Sequence, residues 1–183
     1  MAASARPAGD RCWGWHQLAE PAARRLVASA GIRRRDLVVD IGAGTGALTA
    51  PLVAAGARVI AVELHPARAA ALRRRFTGSP VTVVQVDATD LRLPRRPFRV
   101  VANPPFGATT AVIRRLLSPG SRLVSADLVV PRHVARRWND GRAPGFHRWA
   151  ATFRVATVAR LPRAAFRPRP PHDAVVLRIE RRA

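Results

Sequence analysis

The chain has 183 residues, 48% of them apolar, which suits one domain with a sizeable core and excludes disorder throughout. All 32 basic residues are arginine; set against 11 acids they leave a formal charge of +21, which excludes an acidic surface and points to a polyanion, nucleic acid before an anionic membrane. The single cysteine, Cys12, excludes a disulfide framework and a cysteine metal site. No apolar run reaches the roughly 18 residues that span a bilayer, and no signal-type stretch opens the chain, so a soluble, cytoplasmic monomer is the default.

Residues 1–12 read as a flexible tail rich in Ala, Pro and Gly, and 13–183 as one domain. Pro21 to Ala30 is a helix candidate with Leu26 and Val27 on its apolar side. LVVDIG (37–42) is a buried strand that ends at a glycine turn. A helix over Thr45 to Ala55 follows, closed by Gly56. RVIAVEL (58–64) is a second strand, and Pro66 to Phe76 a helix with proline at its start. VTVVQVD (81–87) and FRVVAN (98–103) are the third and fourth strands. Thr109 to Leu117 is a helix, LVSADLVVP (123–131) a fifth strand, and His133 to Asn139 a basic helix. TFRVATVARL (152–161) and AVVLRIE (174–180) are two last strands with a Pro-rich connection. Strand–helix alternation with β-branched strands means an α/β fold, a parallel doubly wound sheet. The last two strands have no helix between them and should pair antiparallel.

The first turn reads Asp40-Ile41-Gly42-Ala43-Gly44-Thr45-Gly46. Glycines between a strand and a helix let backbone approach a ligand closely. The pattern also fits a loose dinucleotide turn, so alone it says little. Glu63 ends the second strand, where an acid can take a ribose diol. Asp87 ends the third, where a carboxylate can accept a hydrogen bond from an adenine amino group. Read singly, Glu63 is equally a surface acid and Asp87 a cap. Together with the turn they mark the carboxyl ends of the strands, where open sheets of this kind bind cofactors.

Asn103-Pro104-Pro105-Phe106 closes the fourth strand on the same rim. An amide titrates nothing and binds metal poorly, so a site built on one should recognise another amide-like group, such as a base edge. The exocyclic nitrogen of adenine is a poor nucleophile because its lone pair is delocalised into the ring. The Asn103 side-chain oxygen and the Pro104 carbonyl can each accept one of its N–H groups and draw it towards tetrahedral geometry. Phe106 can stack on the base, and the prolines stiffen the loop. Methyl transfer from a sulfonium would then need only positioning and electrostatics.

DIGAGTG, VEL, Asp87-Ala88 and NPPF, in this order, resemble a class I S-adenosylmethionine-dependent methyltransferase. DLVVDIGAGTGALTAPL, RVIAVELHP, PFRVVANPPFG, ADLVV and LPRAAFRPRPPHDAVVLRIERR are similar to the Erm family of 23S rRNA adenine-N6 methyltransferases, which confer macrolide–lincosamide–streptogramin resistance. The closing stretch, with Phe166, Pro168, Pro171, Asp173 and Val175, is the most specific to that family.

The resemblance implies a Rossmann-like fold with a seven-stranded, mostly parallel sheet, an antiparallel final strand and helices on both faces. It implies S-adenosyl-L-methionine as cofactor, held at His16, Leu18, Gly42, Gly44, Glu63, Asp87, Ala88 and Asn103. It implies catalysis by Asn103, Pro104 and Phe106 on 23S rRNA, with no metal. Family members usually read Gly-Gln-Asn-Phe-Leu near the N-terminus; Gly14-Trp15-His16-Gln17-Leu18 stands here, which puts His16 at the Asn position. Most members also carry a C-terminal helical domain, whereas this chain stops after its last strand and resembles the short, mycobacterial-type members. Arginines are expected to compensate in docking RNA, chiefly Arg132, Arg136 and Arg137, with Arg6, Arg11, Arg33 to Arg35, Arg178, Arg181 and Arg182. Rival readings are the small-subunit rRNA adenine dimethylase, a protein-glutamine or DNA-adenine methyltransferase, and a non-catalytic rRNA-binding assembly factor.

Overall fold

Seven runs of β-branched and apolar residues hydrogen-bond into one sheet in a computed structural model that describes residues 16–182. The tail expected over 1–12, with Arg6, Arg11 and Cys12, lies outside those residues, as do Trp13 and Trp15. In chain order the elements are β1 (Gln17–Leu18), α1 (Glu20–Ser29), β2 (Leu37–Ile41), α2 (Thr49–Ala54), β3 (Arg58–Val62), α3 (Pro66–Arg75), β4 (Val81–Val84), β5 (Phe98–Ala102), α4 (Thr109–Leu116), β6 (Leu123–Pro131), α5 (Arg132–Asn139), α6 (Phe146–Trp149), β7 (Phe153–Leu161), β8 (Phe166–Arg167) and β9 (Ala174–Arg181).

The sheet order is β4-β3-β2-β5-β6-β9-β7. β4 to β6 run parallel, and β9 inserts between β6 and β7, antiparallel to both. This is the expected mostly parallel sheet with an antiparallel final strand. Side chains alternate across it and build two cores. Val39 and Ile41 of β2 face α4 and α5 through Val112, Ile113, Leu116 and Trp138. Val38 faces the other side, where Leu26 and Val27 of α1 and Leu52 of α2 cover it. Full burial of each such side chain is worth about 1.5–3 kcal/mol.

Two boundaries differ from the sequence expectation for physical reasons. The helix expected over Thr45–Ala55 begins only at Thr49, because Gly42, Gly44 and Gly46 all take positive φ and hold the chain in turns. The strand expected over 81–87 stops at Val84, and Asp87 lies in the loop beyond, where its own side chain organises a turn. A second, two-stranded sheet pairs β1 antiparallel with β8, Gln17 opposite Arg167 and Leu18 opposite Phe166. Its pairs lie across the carboxyl rim of the main sheet.

Candidate active site

The carboxyl ends of β2, β3, β4 and β5 surround a cavity of about 380 Å³. Among its walls are His16, Gly42, Glu63, Asp87, Ala88, Asn103, Pro104 and Phe106. Eight of the ten residues singled out for cofactor and chemistry from the sequence therefore share one space, all but Leu18 and Gly44. Leu18 is buried instead in the core beside α1 and borders a narrow crevice with Asp40 and Asn103. Gly44 is buried, and its N–H donates to Glu63 Oε2 at 2.8 Å. It acts on the cavity through that acid.

Asn103 stands immediately after β5. Its Nδ2 donates to the backbone carbonyl of His16 at 2.6 Å. That bond fixes the amide, and it leaves Oδ1 buried with no hydrogen-bond partner among the described residues. An unpaired buried acceptor costs roughly 1–3 kcal/mol, so the fold retains one here against its own stability. The His16 carbonyl is itself held in place. β1 pairs with β8, the Ala19 N–H donates to Ala165 O, and His16 Nδ1 lies 3.1 Å from Pro168 O. Gln17 Oε1 accepts from the Thr45 hydroxyl at 2.8 Å, which ties the same segment to the glycine turn. Phe106 lies between two rings, His16 at 5.7 Å and Phe166 edge-on at 6.3 Å. Half-buried, it presents part of its surface to the cavity.

Gly42, at φ +76°, shows why the first turn needs glycine. A Cβ there would come within 3.2 Å of Pro105 Cδ and 3.3 Å of the Asn103 carbonyl oxygen. The glycine turn and the Asn-Pro-Pro loop pack backbone to backbone.

The acids divide the work. Glu63 is buried and accepts from two N–H groups, Gly44 on one oxygen and His65 on the other. Asp87 Oδ1 accepts from the Thr89 N–H at 2.8 Å and the Thr89 hydroxyl at 2.7 Å. The Thr89 backbone bond, then its hydroxyl, hold the Asp87 carboxyl below its usual range. Asp87 is thus both a turn-forming cap and a wall of the cavity. Asp40 was not singled out, although an acid inside the apolar run LVVDI is a signal in itself. It is fully buried, Oδ2 takes the Thr49 hydroxyl at 2.7 Å, and Oδ1 has no partner among the described residues. Burial pushes its pKa up to about 7; the Thr49 hydrogen bond pulls down and the nearby Glu63 charge adds to the rise.

A family model described as ribosomal RNA adenine dimethylase matches residues 20–183. The chain belongs to the ribosomal RNA adenine dimethylase family. It is 36% identical over 146 residues to an rRNA adenine N-6-methyltransferase of Corynebacterium diphtheriae, an alignment covering 79% of this chain and 57% of that protein. It is 36% identical over 176 residues to ribosomal RNA small subunit methyltransferase A of Leifsonia xyli, covering 87% and 61%. The chain thus spans about three fifths of the length of these curated relatives. Among solved structures, the 23S rRNA methyltransferase ErmE superposes with a TM-score of 0.80 at 29% identity, covering 89% of this chain and 68% of that one. A dimethyladenosine transferase from Plasmodium falciparum gives 0.78 at 25%, covering 91% and 64%. These likenesses establish the class I methyltransferase fold.

Membership of the dimethylase family implies S-adenosylmethionine as methyl donor, and the residues present fit it. The cavity is of small-ligand size, a Cβ at Gly42 would crowd the Asn-Pro-Pro loop, two acids stand just beyond successive strands, and Asn103 Oδ1 has no hydrogen-bond partner among the described residues. Among the described residues no group of His, Cys, Asp and Glu could hold a metal, and no helix is long and apolar enough to cross a membrane. Of the arginines expected to dock RNA, Arg132, Arg136 and Arg137 are exposed on α5, and the first two line a cleft with Arg163. Arg178 is committed elsewhere: Nε binds the buried Asp127 at 2.7 Å and Nη2 donates to Ser29 O at 2.6 Å. Arg182 donates to Ala150 O at 3.1 Å. Arg33 to Arg35 lie before β2, at the rim remote from the cavity.

Proposed function

We propose that this chain transfers a methyl group from S-adenosylmethionine to N6 of an adenine in the peptidyl-transferase region of 23S rRNA, in the cytoplasm, and so confers macrolide–lincosamide–streptogramin resistance. The observation that carries the chemistry is the Asn103 amide, with its nitrogen tied to His16 O and its oxygen buried and unpaired. That oxygen accepts one N–H of the adenine amino group, and the Pro104 carbonyl accepts the other. Both bonds strengthen as the nitrogen becomes tetrahedral and its lone pair leaves the ring, so they favour the transition state over the bound base. Phe106 stacks on the base and keeps it out of its own helix. When bound, the cofactor supplies an electrophilic methyl on a sulfonium. The N6–methyl bond would form as the sulfur–methyl bond breaks, with a neutral thioether as leaving group and the displaced N6 proton going to solvent. Glu63 holds the ribose and Asp87, with Ala88, the adenine edge of the cofactor. His16 and Gly42 border its methionine end, Gly44 acts through its bond to Glu63, and Leu18 supports the segment from the core.

A second reading is modification of small-subunit rRNA. The small-subunit relative from Leifsonia xyli matches at the same 36% identity over more of this chain. Transfer of labelled methyl to purified 23S rRNA, 16S rRNA and duplex DNA, with the modified nucleotide mapped, separates the two. Label on N6 of a 23S adenine is expected. Label on 16S rRNA alone would move the substrate, and label on neither RNA would sink both readings. Asn103→Ala should lose on the order of 10²-fold in kcat with RNA binding intact; near-normal turnover would remove Asn103 from its role.

A further inference from the structure

The rim opposite the proposed active site carries a second and larger cleft, of about 830 Å³. It is built where the parallel strands begin, from the turn before β5, the end of α4, the turn before β6, α6, the start of β7 and the end of β9. Four arginines line it, Arg114, Arg122, Arg148 and Arg181, and no acidic residue does. All four are exposed. Among the described residues none of them is paired with a carboxylate, although other arginines of the chain are, such as Arg99 with Asp36 and Arg154 with Glu180. Arg181 is held rigidly: Nε donates to Leu123 O at 2.9 Å, Nη2 to Ser121 O at 2.6 Å, and its guanidinium lies 4.7 Å over the Phe153 ring. Trp149 lines the wall beside Phe153.

Four guanidinium groups converging without a counter-charge repel one another and cost stability. A cleft that keeps them unpaired matches a ligand carrying several negative charges at fixed spacing. We propose that this cleft is a second binding site for the phosphodiester backbone of the substrate RNA. The inference rests on the reading of the chain as an rRNA methyltransferase. Arg181 and the two rings form a fixed floor, and the exposed guanidinium forks of Arg114, Arg122 and Arg148 bind phosphate oxygens above it. The strand β6 leads from this cleft to the catalytic rim, and its nine residues set the distance at roughly 25 Å. RNA that reaches both sites is longer than a stem-loop holding only the target adenine. The cleft therefore selects for an extended, folded RNA and not for an isolated hairpin.

The test compares full-length 23S rRNA with a short hairpin carrying the mapped adenine, by equilibrium binding over a salt series. The protein variants are Arg114→Ala/Arg122→Ala/Arg148→Ala and the same triple change to Lys. For the alanine variant, affinity for full-length RNA should fall about tenfold. Its salt slope should become shallower by about 2–3, as expected for three lost phosphate contacts. Hairpin affinity and hairpin methylation should be unchanged, and the lysine variant should restore most of the slope. Equal loss on both RNAs, or no loss on either with an unchanged melting temperature, overturns the proposal. Loss of binding to anionic lipid vesicles with RNA binding intact would overturn it in favour of a membrane surface. If the triple variant does not fold, Arg148→Glu alone must show the same selective loss. Should 16S rRNA be the RNA that takes label, the comparison is made on it; label with an unaltered variant sinks the cleft alone, and no label on any rRNA sinks the function itself.

Discussion

Substitution of Gly42 by alanine tests whether the glycine turn positions the Asn-Pro-Pro loop or merely turns the chain. Two costs arise. The residue sits at φ +76°, where an L side chain pays about 1–2 kcal/mol. The new methyl also meets Pro105 Cδ at 3.2 Å, the Asn103 carbonyl oxygen at 3.3 Å and Pro104 Cα at 3.4 Å. Two of these three atoms are backbone of the Asn-Pro-Pro loop, so relief requires that loop to move by a few tenths of an ångström. Gly31 is the control: its φ is +62°, and a Cβ there meets nothing within 4 Å. Gly31→Ala should therefore pay the conformational cost alone, a fall in Tm of about 2–8 °C for a chain of this size. Gly42→Ala should fall further. It should also lose about three- to tenfold in kcat, since a displacement of 1 Å at a reacting centre costs on the order of 10²-fold. Calorimetry gives the first comparison and single-turnover methyl transfer the second. If both variants lose the same Tm and both keep full kcat, the close packing of turn and loop does not position Asn103.

The buried Asp40 gives a pH prediction with a definite sign. Its pKa is about 7 folded against 3.8 unfolded, so below pH 3.8 it costs nothing, and between about 4 and 7 the unfolded chain ionises while the folded one keeps its proton. The penalty grows through that window to about 4 kcal/mol and is constant above it. Asp40→Asn should thus gain Tm relative to wild type as pH rises from 4 to 7 and no further beyond; a pH-independent difference would refute it. Arg178→Ala strands the buried Asp127 carboxylate and should cost about 3–5 kcal/mol by denaturant titration, whereas Arg178→Met with Asp127→Leu should recover most of that loss. Recovery by the single Arg178→Met change would show that the pair is not coupled. Phe106→Ala should weaken base capture by about 1–3 kcal/mol while Phe106→Tyr is mild, measured as KM for RNA; equal loss in both would argue against stacking.

The strands were legible because β-branched runs such as LVVDI, RVIAV and FRVVA are short, apolar and bounded by glycine, proline or acids. The rim they share follows from the parallel topology, and so does the convergence of Gly42, Glu63, Asp87 and Asn103. Strand ends were less legible: Val84 and Asp87 read as one run, yet Asp87 prefers to accept from Thr89 in a turn. The β1–β8 pair left no trace in the sequence, because two residues carry no periodicity. The bond that orients the Asn103 amide was equally hidden. Its acceptor is a main-chain carbonyl, so the identity of His16 does not encode it. This also changes what the departure at His16 means: the position contributes its backbone to Asn103 whatever side chain it bears.

The strap that carries this carbonyl has a consequence for how the protein comes into being. The amide at 103 is aimed by position 16, and position 16 is clamped by positions 166 to 168. During synthesis, at about 5–20 residues per second, the parallel strands and the glycine turn emerge well before the clamp exists. Such an intermediate can acquire most of its sheet with an Asn103 that points nowhere in particular. The amide would be aimed only once β8 closes over β1, among the slowest kinds of contact a chain can make because the segment between them is so long. Cutting the chain before β8 would thus leave the sheet core in place and remove the contact that aims Asn103.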